Sequence, residues 1–129
     1  MPACLQPSSR TAPQCGRSIY PEYFTGEQGA IVAKQMALPC AMISVVLDER
    51  YDAQRFLRAL RYFPLAESLG AIESLIDHPA RMTHAALPAE ERRKIGLSDG
   101  LLRISVGTEN GDDLARDLTR APAASVRKR

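Results

Sequence analysis

Apolar residues recur along this chain with two different spacings, and these spacings predict strands and helices. The run 41–47 is apolar throughout apart from one serine and is rich in β-branched residues, which is typical of a buried strand. In the segment 51–62, Phe56, Leu57 and Leu60 recur at helical spacing, with charged residues between them. This second pattern predicts an amphipathic helix that ends before Pro64.

The remaining segments extend the alternation of elements. The patterns predict helices over 27–37, 88–94 and 112–120 and strands over 80–85 and 101–106. The segment 64–79 fits either a short helix or an irregular strand, because a glycine interrupts its apolar positions. Few strands alternating with helices predict an α+β fold, in which a small, open, mainly antiparallel sheet carries helices on one face.

The chain of 129 residues is long enough for one domain. Residues 1–18 are rich in proline, serine, glutamine and arginine and show no periodicity, so we predict a disordered leader. Residues 122–129 end in three basic residues and are predicted to form a solvated tail. The domain itself is therefore expected over residues 19–121.

Composition and charge exclude several classes of function. The net charge is only +2, which argues against nucleic acid or an anionic membrane as a partner. The run 41–47 is the longest apolar stretch and is too short to span a bilayer, and no signal peptide pattern is present, so we expect a cytoplasmic location. The three cysteines form no CxxC pair, and His78 and His84 are six residues apart, so we expect neither a disulfide framework nor a metal site.

Three motifs occur in a fixed order: YFPLAESLGAIESLI at 62–76, HPARMTH at 78–84 and GLSDGLLRISVG at 96–107. Together they resemble the C-terminal small domain of the transsulfuration family, the pyridoxal phosphate (PLP) enzymes of cysteine and methionine metabolism. That family includes cystathionine γ-synthase, cystathionine γ-lyase and methionine γ-lyase. The resemblance covers residues 19–121 and implies the C-terminal domain of a fold-type I PLP-dependent transferase.

In the family, a small domain of this kind closes over an amino-acid substrate that a large domain holds on its cofactor. The resemblance therefore implies a PLP-binding large domain or subunit as partner, and a homo-oligomer in the intact family. The reaction implied is γ-elimination or γ-replacement on an amino acid such as an O-acylhomoserine or cystathionine.

Arg103 is the first candidate site residue. From alternation alone, an arginine between Leu102 and Ile104 is an exposed strand residue. The resemblance instead implies that Arg103 holds the α-carboxylate of the substrate, and a guanidinium suits this role because it offers two parallel donors to a carboxylate.

Three further residues receive roles from the resemblance only. Ser68 would lie beside the cofactor lysine and the substrate carboxylate, Glu67 would line the substrate entrance and favour chemistry at the γ-carbon, and Thr83 would help to line the substrate site. From the residues alone, Ser68 is a turn residue and Glu67 a surface acid.

The chain lacks a recognisable cofactor lysine. Its three lysines are Lys34, Lys94 and Lys128, and none has the serine-x-threonine-lysine context that the family uses. We therefore expect no covalent PLP and no catalytic residue in this chain, which would be a fragment that is inactive alone. The alternative hypothesis is a noncatalytic remnant or protein-interaction module.

Overall fold

The computed structural model describes residues 15–127 of the chain. Four strands and four α-helices alternate along these residues, with a short 3-10 helix at Pro21–Tyr23. In chain order the elements are β1 (Cys15–Ile19), α1 (Gly26–Gln35), β2 (Met42–Leu47), α2 (Ala53–Ala59), β3 (Leu75–Asp77), α3 (Ala89–Lys94), β4 (Leu101–Ser105) and α4 (Gly111–Ser125).

The four strands form one open sheet in the order β1-β2-β4-β3, and every neighbouring pair is antiparallel. At its centre, Ile43 lies opposite Ile104 and Val45 lies opposite Leu102. Cross-strand partners project to the same face of a sheet, so these four residues share one face. The sheet confirms the α+β fold, small, open and antiparallel, that the sequence predicted.

The hydrophobic core lies on that face. Buried residues alternate with half-buried ones along β2, and the helices α2 and α4 pack against each other over the apolar side of the sheet. The core consists of Tyr20, Ile43, Val45, Leu47, Phe56, Phe63, Ile76, Leu102, Ile104, Leu114, Leu118 and Ala121. Burying each large aliphatic side chain among them contributes roughly 1.5–3 kcal/mol, which explains why these periodic segments take the predicted structures.

Helix α4 is longer than its pattern predicts. Asn110 caps its N-terminus by accepting hydrogen bonds from the backbone N–H groups of Asp112 and Asp113. The helix then continues through Pro122 to Ser125, and both of these residues are buried. Residues 122–125, predicted as part of a solvated tail, therefore belong to the helix.

Two other predictions differ from the structure. Residues 15–18, assigned to the disordered leader, lie in β1, which pairs with β2; residues 1–14 lie outside the described part. The strand predicted over 80–85 is wrong, because residues 79–86 form successive turns in which His78 O accepts from the N–H groups of Arg81 and Met82. The strand of this region is β3 instead, and it begins five residues earlier.

No helix among residues 15–127 is long and apolar enough to cross a membrane.

Candidate functional site

Arg103 projects from the face of the sheet that α2 and α4 leave uncovered. Its neighbours Leu102 and Ile104 are buried in the core, and successive side chains of a strand point to opposite faces. Across the sheet Arg103 pairs with Ser44 on β2 and with Asp77 on β3. These three polar residues thus form one row on the open face.

The guanidinium of Arg103 is held close to the segment that carries Glu67 and Ser68. Its Nη2 atom donates to the carbonyl oxygen of Glu67 at 3.3 Å and lies 3.4 Å from Oδ2 of Asp77. The side chain is 27% exposed, and neither Nε nor Nη1 donates a hydrogen bond within residues 15–127. Two donors of Arg103 therefore remain available to a ligand.

Asp77, the cross-strand partner of Arg103, is a candidate site residue that the sequence pattern does not predict. Its side chain is only 1% exposed, and neither of its carboxylate oxygens accepts a hydrogen bond within the part of the chain that the structure describes. The sequence does contain a hint of its role, because Asp77 is an acid placed directly after the apolar residues Leu75 and Ile76. Only the strand register shows that this acid faces Arg103.

The segment 61–74 starts beside α4, pairs with the edge of β3 where Leu65 lies next to Ile76, and reaches the open face at Glu67 and Gly70. Its start is attached by α4. Oδ2 of Asp117 accepts hydrogen bonds from the backbone N–H groups of Arg61 at 2.7 Å and Tyr62 at 2.9 Å. Its other oxygen pairs with Arg120 at 2.9 Å. Because the Asp117 side chain is 1% exposed, these bonds form in a dry setting where they are strong.

Glu109 attaches the end of the same segment. Its two carboxylate oxygens accept from the backbone N–H of Ser74 at 2.6 Å and from Ser74 Oγ at 2.8 Å, and Ser74 Oγ accepts from Gly107 N–H at 2.9 Å. The backbone hydrogen bond from Ser74 holds the pKa of Glu109 below its ordinary value, with a smaller contribution from the Ser74 hydroxyl.

Gly70 and Gly107 let the segment lie tightly on the sheet. Gly70 has a φ of +72°, which favours glycine, and its N–H donates to Ser105 Oγ at 2.9 Å. A Cβ atom on Gly107 would lie 2.3 Å from the carbonyl oxygen of Ile72. The segment therefore has one defined path beside Arg103, fixed at both ends and near its middle.

Of the site residues predicted from the sequence, Glu67 and Ser68 lie on the segment next to Arg103, and Thr83 lies on a different segment. The backbone of Glu67 lies at Arg103, and the side chains of Glu67 and Ser68 are exposed on the same segment. Thr83 is exposed in the turns at 79–86, where its hydroxyl pairs with Nδ1 of His84 at 2.8 Å. Among residues 15–127, no hydrogen bond links Thr83 to Arg103 or to the 67–68 segment.

Neither described lysine is placed to hold PLP covalently. Lys34 is exposed on α1, and the Nζ atom of Lys94 pairs with Glu91 at 2.7 Å on a side chain that is 68% exposed. Lys128 lies outside the described residues. A lysine that forms a Schiff base is activated by desolvation in an apolar pocket or by a second cation beside it, and neither amine has such surroundings, so residues 15–127 do not fit a covalent cofactor site.

Comparisons with known proteins give a consistent picture. The sequence model of the family described as "Cys/Met metabolism PLP-dependent enzyme" matches residues 9–123. A cystathionine beta-lyase of Lactococcus lactis subsp. cremoris is 49% identical over 102 residues, which are 79% of this chain and 27% of that protein.

Solved structures match over the same part. The cystathionine gamma-lyase of Lactobacillus plantarum, complexed with L-serine, has a TM-score of 0.81 and 42% identity over 89% of this chain and 30% of its own. The cystathionine gamma synthase of Xanthomonas oryzae pv. oryzae, in complex with aminoacrylate and cysteine, has a TM-score of 0.76 and 45% identity over 86% of this chain and 29% of its own. The chain thus spans less than a third of the length of the relatives it matches.

Proposed function

Because this chain belongs to the Cys/Met metabolism PLP-dependent enzyme family, we propose that residues 19–121 form the domain that closes over the amino-acid substrate of such an enzyme. The proposed reaction is elimination or replacement at the γ-carbon of an amino acid such as cystathionine or an O-acylhomoserine. The observation that supports it most is the guanidinium of Arg103, held at Glu67 with two donors available.

In this proposal Arg103 binds the α-carboxylate of the substrate. A guanidinium donates two parallel charge-assisted hydrogen bonds to a carboxylate, each contributing about 1.5–3 kcal/mol. Two bonds also fix the rotation of the amino acid, whereas a single bond leaves it free to turn. PLP, when held by a large domain, would supply the electron sink for the reaction.

The other predicted residues complete the entrance. Ser68 supports the carboxylate end of the site, and Glu67 receives the distal amino group of a substrate such as cystathionine. The exposed side chains of both residues on the segment 61–74 are compatible with these roles. Thr83 is proposed to line the outer part of the site, where its exposure in the turns leaves it accessible to a ligand.

The partner in this proposal is a PLP-binding large domain or subunit, in a homo-oligomer located in the cytoplasm. Helix α1 has no buried residue, and Leu69 and Ile72 on the segment beside Arg103 are 54% and 77% exposed. Apolar surface of this kind gains free energy when another surface covers it. The large domain would cover it and complete the site around Arg103.

A hybrid enzyme tests the proposal. The full chain would replace the matching third of the Lactobacillus plantarum cystathionine gamma-lyase, and kcat and KM for L-cystathionine would be measured after loading with PLP. We expect an active hybrid in which Arg103→Ala raises KM about 100-fold, because a charge-assisted carboxylate contact is lost. Arg103→Lys should recover only part of this loss, because an ammonium cannot form the paired contact.

Arg116→Ala is the matched control, because it removes an exposed arginine that pairs with Asp113 on the far side of the sheet. This control should change KM less than about twofold. Equal KM values for the Arg103→Ala and Arg116→Ala hybrids would contradict the carboxylate role.

The products report the carbon at which the bond breaks. Cleavage at the γ-carbon of cystathionine, with uptake of water, gives cysteine, 2-oxobutanoate and ammonia, whereas β-cleavage gives homocysteine, pyruvate and ammonia. We expect Glu67→Ala to lower the rate of 2-oxobutanoate formation more than the rate of pyruvate formation. An unchanged ratio of the two keto acids would exclude Glu67 from substrate preference.

The exposed apolar residues also favour a second candidate function, that of a noncatalytic interaction module. Leu38 and Ile72 are 79% and 77% exposed, and such residues bind partners when they cluster. Sedimentation of the full chain tests this candidate. Self-association that Ile72→Ser abolishes would support it, whereas a monomer at every concentration would count against it.

A further inference from the structure

The row of polar residues on the open face contains an unusual pair. Asp77 and Arg103 are direct cross-strand partners, and their side chains approach to 3.4 Å. Asp77 is 1% exposed on its side chain, whereas Arg103 is 27% exposed. The carboxylate is thus inside the protein, and the guanidinium extends from it toward the surface.

Asp77 does not have the contacts of a buried acid that serves stability. Buried carboxylates normally accept several hydrogen bonds, because an ion loses its hydration when it is buried. Within the described residues both oxygens of Asp77 accept none, and the one cation near them is Arg103. The pairing of Asp77 with Arg103 is therefore not explained by a gain in folding free energy.

We propose that Asp77 is a positioning residue that orients the Arg103 guanidinium for carboxylate binding; this inference rests on the proposed function of Arg103. Its charge attracts Nη2 from one side while the carbonyl oxygen of Glu67 accepts from Nη2 on another. The carboxylate charge and the carbonyl oxygen act on the same nitrogen, which leaves Nε and Nη1 free and fixes their direction. Without Asp77 the flexible arginine side chain would turn into solvent and lose this orientation.

The placement on β3 and β4 supports this assignment. Both residues stand on paired strands of the sheet rather than on a loop, and a site supported by strands keeps its geometry more accurately. The pair also balances its own charge, so Arg103 can lie partly buried without an unpaired charge before the ligand arrives.

The first experiment measures kinetics in the hybrid enzyme with L-cystathionine as substrate. Asp77→Asn keeps the shape and removes the charge, and Asp77→Leu removes every acceptor. We expect each variant to raise KM about tenfold and to change kcat less than twofold, because a freed guanidinium weakens binding without touching the reacting bond. Asp99→Asn is the matched control, since it removes the same charge from another aspartate–arginine pair, with Arg92, and should leave KM within twofold.

The second experiment needs no cofactor. In the full 129-residue chain labelled with 15N-arginine, the Nε signal of Arg103, assigned with Arg103→Lys, should be sharp and resolved in the parent and in Asp99→Asn. It should move to the averaged position of exposed arginines in both Asp77 variants. An Arg103 signal that is the same in the parent and in Asp77→Asn would overturn the inference.

The outcomes separate the two hypotheses. If Arg103→Ala leaves KM unchanged, the carboxylate role fails, whatever the Asp77 variants do. If Arg103→Ala raises KM but both Asp77 variants behave like Asp99→Asn, only the positioning role of Asp77 is overturned.

Discussion

Within residues 15–127, each face of the sheet has one buried aspartate beside an arginine, and the two aspartates differ in what they bind. Asp117, on the helix-covered face, accepts two backbone hydrogen bonds and pairs with Arg120. Asp77, on the open face, accepts no hydrogen bond within the described residues and lies 3.4 Å from Arg103. Both side chains are 1% exposed, so burial alone does not distinguish them.

This difference suits two roles. The contacts of Asp117 stabilise the fold, and the contact of Asp77 with Arg103 prepares the arginine for binding. On the helix-covered face the polar groups satisfy one another, which is what a folded domain needs when water is excluded. On the open face, Asp77 accepts no hydrogen bond within the described residues. It constrains the guanidinium of Arg103, whose Nε and Nη1 atoms still have no acceptor there. Changing the aspartate on the helix-covered face should therefore lower mainly stability, and changing the one on the open face should weaken mainly substrate binding.

The largest expected effect is at Asp117. Asp117→Ala should lower the free energy of unfolding by about 3 kcal/mol, because it leaves two backbone donors and a partly buried guanidinium without their acceptor. Urea unfolding of the full chain measures this loss. Asp113→Ala, on the same helix but in a more exposed ion pair, should cost less than about 1 kcal/mol; equal losses would break the comparison.

A smaller effect is expected at Gly107. Gly107→Ala should lower the free energy of unfolding by about 2 kcal/mol, because the new Cβ would overlap backbone atoms of the segment 61–74. The control is Gly111→Ala at the start of α4, where a Cβ would meet nothing within 4 Å. That variant should be neutral or slightly stabilising, and a cost as large as that at Gly107 would contradict the close approach.

Next comes the pH dependence at Glu109. Its folded pKa lies below the ordinary value because Ser74 donates to the charged carboxylate, so the stabilisation is complete above that ordinary value. It is lost as the pH falls through the lowered, folded pKa. As the pH falls below the ordinary value, the parent should lose more stability than Glu109→Gln, and this variant should cost about 1 kcal/mol at neutral pH. If the free energy of unfolding falls with pH in parallel for the two proteins, the Glu109 carboxylate does not contribute to the pH dependence.

The smallest effect on stability is expected at Asp77. Asp77→Leu should change the free energy of unfolding by less than about 1 kcal/mol, because it removes a poorly bonded buried charge while Arg103 can reach water. The same urea measurement checks it beside Asp117→Ala. A loss as large as that at Asp117 would show that the open face is also a stabilising contact.

Much of the fold could be predicted because it depends on local periodicity. The strand β2 and the helix α2 follow from apolar spacings that bury one side of each element. Alternation along β4 also predicts that Arg103 points to the side opposite to Leu102, and the motif 62–76 contains Glu67, whose carbonyl oxygen accepts from Arg103.

The sequence by itself determined which residues are apolar at which spacing, and therefore the elements and the face to which Arg103 points. Tertiary structure decided what depends on partners far along the chain: α4 continues past Pro122 to Ser125, whose carbonyl oxygen accepts from Asp52 N–H. Just after the helix, the N–H of Arg127 donates to the carbonyl oxygen of Arg50. Tertiary structure likewise brought Asp77 to Arg103, which is 26 residues further along the chain. Local spacing carries no record of strand register, because register is chosen by the packing of the whole sheet.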